Sequence, residues 1–156
     1  MKTVKEAHRW THEQGTFRLV NTQTLRVLEH IHGHAGWLTA VALVHPAIVL
    51  RRNRGGRWAV GLSTGLVTLV AALGMWLYVP YRELLKQRIF QTAPSIGLLF
   101  ERKEHLAFGA FCFAWVGALA YIAKYRVLSQ RAYVIAATIA VVVATLGTVV
   151  ASNRTF

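Results

Sequence analysis

The chain is short of acidic residues: it has no aspartate and only six glutamates, against eighteen lysines and arginines, in 156 residues. In a soluble protein, the formal net charge of +12 would favour nucleic acid as the partner. Here most basic residues lie in short connections between apolar runs, where lipid headgroups account for them. We therefore expect a lipid bilayer around this chain and no nucleic-acid partner.

Cysteine is almost absent, because Cys112 is the only one and it lies inside an apolar run. A single cysteine excludes a disulfide framework and a cysteine-based metal motif. It also excludes a covalent c-type haem, which requires the motif C-x-x-C-H. Residues 1–24 contain no apolar core of the kind found in signal peptides, so we expect no cleavable signal.

Apolar residues, in contrast, are abundant: hydrophobic residues make up 54% of the chain, and the mean hydropathy is +0.39. Apolar runs of about 20 residues predict transmembrane helices. Four such spans are predicted, at about residues 25–50, 58–80, 105–123 and 132–151. We predict an all-α, polytopic integral membrane protein, an up-down bundle of four transmembrane helices. It forms a single membrane domain, residues 1–156, in which residues 1–24 are a polar tail.

The connections between spans differ in length and charge. Between spans two and three, the segment RELLKQRIF has Leu84, Leu85 and Ile89 on one face, which predicts a short helix on the membrane surface before a break at Pro94 and Gly97. The other two connections are short and basic, with Arg51, Arg52, Arg54 and Arg57 in the first and Lys124, Arg126 and Arg131 in the second. Short basic loops favour the cytoplasm, so we expect a bacterial inner (plasma) membrane with both termini on the outer face.

Histidines at the ends of the spans and within them indicate a functional site, because titratable side chains at membrane depth are costly. The first span begins at about Leu25 or at His34, because the amphipathic residues between them can be helical outside the hydrocarbon, and His105 opens the third. In an up-down bundle these helices are diagonal and parallel, about 11 to 14 Å apart, and both histidines lie at one depth. Two imidazoles across such a diagonal fit the two axial positions of one iron, which predicts a b-type haem held by His34 and His105.

The neighbours of these histidines suit a haem in part. Gly109 and Ala42 would leave room for the ring, although Gly and Ala also simply allow close helix packing. Arg102 and Lys103 could pair with the propionates. His45 is a less favoured ligand, since no other span offers a histidine at its depth. We expect instead a neutral His45 imidazole, bonded to a threonine or a backbone carbonyl near Pro46.

A bound metal ion is an alternative to haem at the same end of the bundle. His30, His34 and His105 with Glu101 and Glu104 offer the imidazole and carboxylate ligands that zinc, iron or manganese prefer. Their spacing matches no strong motif such as H-E-x-x-H. The glutamates could equally pair with nearby basic residues at the headgroups, as a solvated rim.

With His34 and His105 opening two of four spans, residues 25 to 151 resemble the small four-helix membrane cytochromes b. The resemblance implies a haem b electron-transfer protein or a subunit of a respiratory complex, which passes electrons between a quinol and a redox partner. A quinone would then approach under the surface helix after Tyr81. The chain lacks the second diagonal histidine pair of two-haem members, which argues against electron transfer across the membrane.

Two other functions stay open at this point. One is a non-catalytic structural subunit whose Gly- and Ala-rich helices pack against a larger membrane complex, and which would lose its partner if Gly109 or Gly117 were made bulky. The other is a divalent-metal-binding membrane protein that uses the His and Glu set above.

Overall fold

The computed structural model describes residues 22–52, 55–82 and 86–152, and these ranges are almost entirely helical. The helices in chain order are α1 (Thr22–Arg51), α2 (Arg57–Tyr81), α3 (Gln87–Thr92), α4 (Pro94–Ile122) and α5 (Arg126–Ser152). Four of them, α1, α2, α4 and α5, are long and apolar enough to cross a membrane. The prediction of four spanning helices is thus confirmed by length and composition. The predicted polar tail, up to residue 21, lies outside the described residues.

The third spanning helix differs most from its prediction. It begins at Pro94, eleven residues before the predicted start at His105, and it continues through Gly97 without a break. Proline is favoured in the first turn of a helix, where its missing N–H costs nothing. Gly97 is there for close approach, because a Cβ at Gly97 would lie 2.9 Å from the Phe90 ring of α3. The predicted break is therefore confirmed just before Pro94, where the non-helical Ala93 separates α3 from α4, and it is wrong at Gly97.

A short helix, α3, forms within the stretch predicted to lie on the membrane surface, and its position at the surface stays a prediction. Residues 83–85, with the predicted apolar Leu84 and Leu85, lie outside the described residues. In α3, Ile89 is buried, and the Phe90 ring covers Gly97 of α4. This short helix therefore packs on the first turns of α4.

The four long helices form a ring in which each packs on two others. The closest pairs are α4 with α5 and α1 with α5, followed by α1 with α2 and α2 with α4. Among the described residues, α1 and α4 are not a closely packed pair, which places them on a diagonal as the up-down topology predicts. We call the end where α1 and α4 begin the polar end, and the opposite one the basic end.

The hydrophobic core lies between the middle of the bundle and the basic end, and small side chains dominate it. Its members are Ala40, Leu43, Ala47, Leu50, Val60, Val67, Ala110, Ala114, Ala118, Tyr133, Ala136, Ala137 and Ala140. Small residues let membrane helices approach closely, where van der Waals contacts hold them together. Tyr133 is the large exception: its ring covers Gly117, and its hydroxyl bonds Thr64 Oγ1 at 2.7 Å.

Pro46 lies inside α1 and is fully buried. Because proline has no N–H, the carbonyl of Ala42 loses its usual partner within the helix. Ser63 of α2 replaces that partner, and its hydroxyl donates to the Ala42 oxygen at 2.7 Å. In a membrane an unsatisfied carbonyl is costly, so the proline and the serine together join α1 to α2.

Candidate functional site

The polar end gathers most of the chemistry of the described residues. All three described glutamates lie there, Glu29, Glu101 and Glu104, together with four of the five described histidines. Helix α4 has 29 residues, about 43 Å at 1.5 Å per residue, which exceeds a hydrocarbon layer of about 30 Å. Its charged stretch from Glu101 to His105 can therefore reach the headgroups while its remainder spans the apolar layer.

His34 is exposed on the outer face of α1. Its Nδ1 donates to the backbone carbonyl of His30 at 2.8 Å. Nε2 is then the nitrogen with the free lone pair, because a neutral imidazole carries one proton. Around it lies a shallow apolar groove of about 450 Å³, lined by Val27, His30, Ile31, His34, Ala35 and Leu38.

His105 has the same local geometry on α4. Its Nδ1 donates to the backbone carbonyl of Glu101 at 2.8 Å, and the side chain is exposed. Ala114 in the core lies nine residues later, two and a half turns at about 3.6 residues per turn, so the two side chains project in opposite directions. His34 stands in the same relation to the core residue Leu43, again nine residues later. Each imidazole therefore points directly away from the core.

This orientation keeps the two predicted haem ligands apart within one chain. They lie at one end and on diagonal helices, as expected, but they leave the bundle on opposite sides. Joint ligation of one iron stays a prediction, and within a single chain it would require a different rotation of α1 and α4.

Gly109 and Ala42, which are expected to make room for a haem ring, lie next to neighbouring helices of the same chain. A Cβ at Gly109 would lie 3.9 Å from the Ile139 side chain of α5, and the Ala42 carbonyl is bonded to Ser63. Arg102 is exposed beside His105, as a propionate partner would be, whereas Lys103 faces inward.

His45 is exposed on the outer face of α1 and makes no hydrogen bond with any described residue. We expected it to bond a threonine or a carbonyl near Pro46. The carbonyl that the proline releases belongs to Ala42, and Ser63 occupies it instead. His45 therefore stays an open imidazole facing the surroundings of the bundle.

The alternative ion site does not assemble in this structure. Within residues 22–52, 55–82 and 86–152, no three His, Cys or Glu side chains come together in a way that could hold a metal ion. Glu101 instead forms an ion pair with Lys86 at 2.7 Å, and this hydrogen bond raises the pKa of Lys86. The pairing agrees with the alternative of a solvated charged rim for this glutamate.

The inward-facing histidine of α1 is His32, which the sequence places among the titratable residues of this end but for which it predicts no ligand role. A Cβ at Gly74 of α2 would lie 3.0 Å from its Cε1. His32 Nδ1 is buried and has no hydrogen-bond partner among the described residues. His32 precedes Leu43 by eleven residues, three turns, and this register could have identified it once Leu43 was known to be in the core.

Lys103 of α4 occupies a similar position on the diagonal helix. Its Cδ lies 3.7 Å from where a Cβ of Gly147 in α5 would be, and its ammonium lies 4.6 Å from the centre of the Phe100 ring. Lys103 and Glu29 are the charged side chains that interact electrostatically with the His32 imidazole. Glycines on α2 and α5 thus make space inside the polar end for two long polar side chains.

Comparison of the chain with protein-family models, with curated proteins and with solved structures finds no match. The functional inference therefore depends on the chain's own residues.

Proposed function

We propose that this chain is a haem b electron-transfer subunit of a membrane redox complex, with His34 and His105 as axial ligands. One observation carries the proposal: each imidazole donates its Nδ1 proton to a carbonyl one turn earlier and directs Nε2 outward. Such a bond fixes the tautomer and the ring orientation of a metal-ligating histidine. The apolar groove beside His34 offers a surface against which a flat macrocycle can pack.

The two ligands of one iron then come from two neighbouring copies of the chain. His34 and His105 leave the bundle on opposite sides, so His34 of one copy meets His105 of the next. Contacts of this head-to-tail kind form a ring when the rotation closes and an open row of copies when it does not, so in either case the haem-loaded protein is expected to be an oligomer. A bound haem supplies a one-electron carrier, and the chain's residues hold it and set its surroundings.

The charge of the two ends suggests how the chain is oriented in the membrane and on which side a redox partner binds. The basic end carries Arg51, Arg52, Arg57, Lys124, Arg126 and Arg131 and, among the described residues, no glutamate. Short basic connections favour the cytoplasm, which gives the bacterial inner membrane with the polar end and both termini on the outer side. A quinone or another redox subunit would exchange electrons with the haem at that side.

The first test is a reduced minus oxidised visible spectrum of the chain purified from its host in mild detergent. Sharp α and Soret bands are expected, and His34→Ala or His105→Ala should each abolish them. His45→Ala is the matched control, because His45 is an exposed histidine of the same helix but lies outside the groove beside His34. This variant should retain the haem.

Co-expression separates ligation between copies from ligation within one chain. When the His34→Ala and His105→Ala chains are made together, a site between copies can still combine one intact His34 with one intact His105. Part of the haem absorbance should therefore return. Absorbance in the unsubstituted chain but none in the mixture would overturn ligation between copies. A flat spectrum of the unsubstituted chain, with copurification in a larger assembly, would replace the haem proposal by the structural-subunit function.

A further inference from the structure

A second surface feature lies toward the basic end, far from the histidines. It is an open groove of about 650 Å³ between α2 and α4, which are the least closely packed of the four neighbouring pairs of long helices. Gly61, Gly65 and Ala118 are among its lining residues, with Trp115 and Leu69 beside them. A Cβ at Gly61 or at Gly65 would meet nothing within 4 Å, so these glycines leave real space.

The groove presents an apolar surface although it contains hydroxyl groups. Thr64 Oγ1 bonds the Tyr133 hydroxyl at 2.7 Å. Thr68 Oγ1 donates to the Thr64 carbonyl at 2.7 Å and accepts from Trp115 Nε1 at 3.1 Å. Because these polar atoms are already paired within the protein, the part of the groove that they line suits a hydrocarbon chain better than a ligand that needs hydrogen bonds, such as a quinone ring.

One end of the groove is positively charged. Arg57, the first residue of α2, lines it there, opposite Tyr121 and Ile122 at the end of α4. Among the described residues, Arg57 has no carboxylate partner, and its guanidinium lies 5.7 Å from the centre of the Trp58 ring. The start of α2 is at headgroup level if the bundle spans a bilayer, so the cation lies where a lipid phosphate would be.

We propose that this groove binds one anionic phospholipid, with an acyl chain against Gly61 and Gly65 and the phosphate at Arg57. The length of the groove from Arg57 to Leu69 is about 18 Å at 1.5 Å per residue, and it runs from the headgroup level into the apolar layer. A second copy packed symmetrically through the same glycines would bring two Arg57 side chains together, and the like charges oppose that contact.

Native mass spectrometry of the full-length chain with phosphatidylglycerol or phosphatidylcholine of identical acyl chains tests the proposal. We expect one tightly retained phosphatidylglycerol per chain and weaker retention of phosphatidylcholine. Arg57→Gln should weaken phosphatidylglycerol binding about fivefold, the equivalent of about 1 kcal/mol for one cation at a membrane surface. Arg51→Gln, an exposed cation at the same end but outside the groove, is the matched control and should change it little.

Gly65→Leu should fill the groove and abolish retention of the lipid, while Gly36→Leu is its control on another helix where a Cβ also meets nothing within 4 Å. Circular dichroism of each variant verifies that the bundle is folded. Equal retention of both lipids, or unchanged binding in Gly65→Leu, would overturn the proposal. Loss of a dimer rather than of lipid in Gly65→Leu would also overturn it and assign the groove to a second copy. None of these readouts depends on haem.

Discussion

The two ends of this bundle are built differently. Toward the basic end, the helices meet through alanines, glycines and one buried tyrosine, and the hydroxyls of Ser63, Thr64, Ser129 and Tyr133 are hydrogen-bonded. At the polar end, His32 and Lys103 extend into spaces beside Gly74 and Gly147, and the buried Nδ1 of His32 has no partner among the described residues. Apart from the groove between α2 and α4, the helices at the basic end are therefore closely packed, and the polar end carries the groups that can do chemistry.

Because the core toward the basic end is closely packed, we expect the largest loss of stability when a methyl group is added there. In Gly117→Ala the new Cβ would lie 2.8 Å from the Tyr133 ring, which is fully buried and cannot move without disturbing α5. We expect about 1 to 3 kcal/mol of destabilisation, as for other overpacked cores. Gly147→Ala, the matched change at the polar end, has its nearest contact at 3.7 Å and should cost much less.

Thermal unfolding in mild detergent compares the two variants. Equal melting temperatures would contradict the difference between the two halves. Gly117 contacts Tyr133 inside the chain and is not available to a partner. A lower melting temperature of Gly117→Ala would therefore reflect packing within the chain, and not the loss of a partner as the structural-subunit alternative predicts.

A smaller effect is expected from the hydrogen bond beside Pro46. Ser63→Ala leaves the Ala42 carbonyl without a partner, which should cost about 1 kcal/mol. Pro46→Ala restores an N–H that can bond this carbonyl, so Ser63→Ala should cost less in that background. A double-mutant cycle on unfolding free energies measures the difference. Strictly additive costs would show that the serine does not compensate for the proline.

The smallest effect belongs to the exposed ion pair of the polar end. The hydrogen bond with Glu101 raises the pKa of Lys86 above its ordinary 10.5, so the folded state binds this proton more tightly than the unfolded chain. The ion pair contributes its full stabilisation below pH 10.5, and this contribution is lost as the pH rises through the raised pKa of Lys86. Both side chains of the pair are partly exposed to solvent, so the gain in stability is small.

Glu101→Gln should return the Lys86 pKa toward its ordinary value, as measured by NMR titration of the lysine side chain. Arg82→Gln changes another exposed cation at this end and serves as the control. An unchanged Lys86 pKa in Glu101→Gln would mean that the pair does not persist in solution.

Much of the fold could be predicted because hydrophobicity is a local property of the chain. The predicted spans at 25–50, 58–80 and 132–151 correspond to Thr22–Arg51, Arg57–Tyr81 and Arg126–Ser152. The start of α4 could not be predicted in this way. Residues 94 to 104 are helical although the charged residues 101 to 104 separate the apolar stretch 94 to 100 from the predicted span, and α3 packs against their first turns.

The candidate site was predicted by residue type and by end, but not by direction. His34 and His105 lie at the polar end on diagonal helices, yet both face away from the core, and the histidine that faces inward is His32. In a soluble helix, the polar face reveals which side is buried. In a membrane helix, both the lipid and the core are apolar, so the pattern of apolar residues does not specify the rotation of the helix about its axis.

The sequence by itself therefore determined the number of long helices, the basic charge of their short connections and the end at which histidines and glutamates collect. Each of these follows from the composition of a continuous segment. Only the tertiary structure decided that His34 and His105 point outward, that Ser63 bonds the carbonyl released by Pro46, and that α2 and α4 leave a groove between them. All three features depend on the rotational orientation of each helix about its axis. In this structure, that orientation brings Gly117 against Tyr133 and Gly74 against His32.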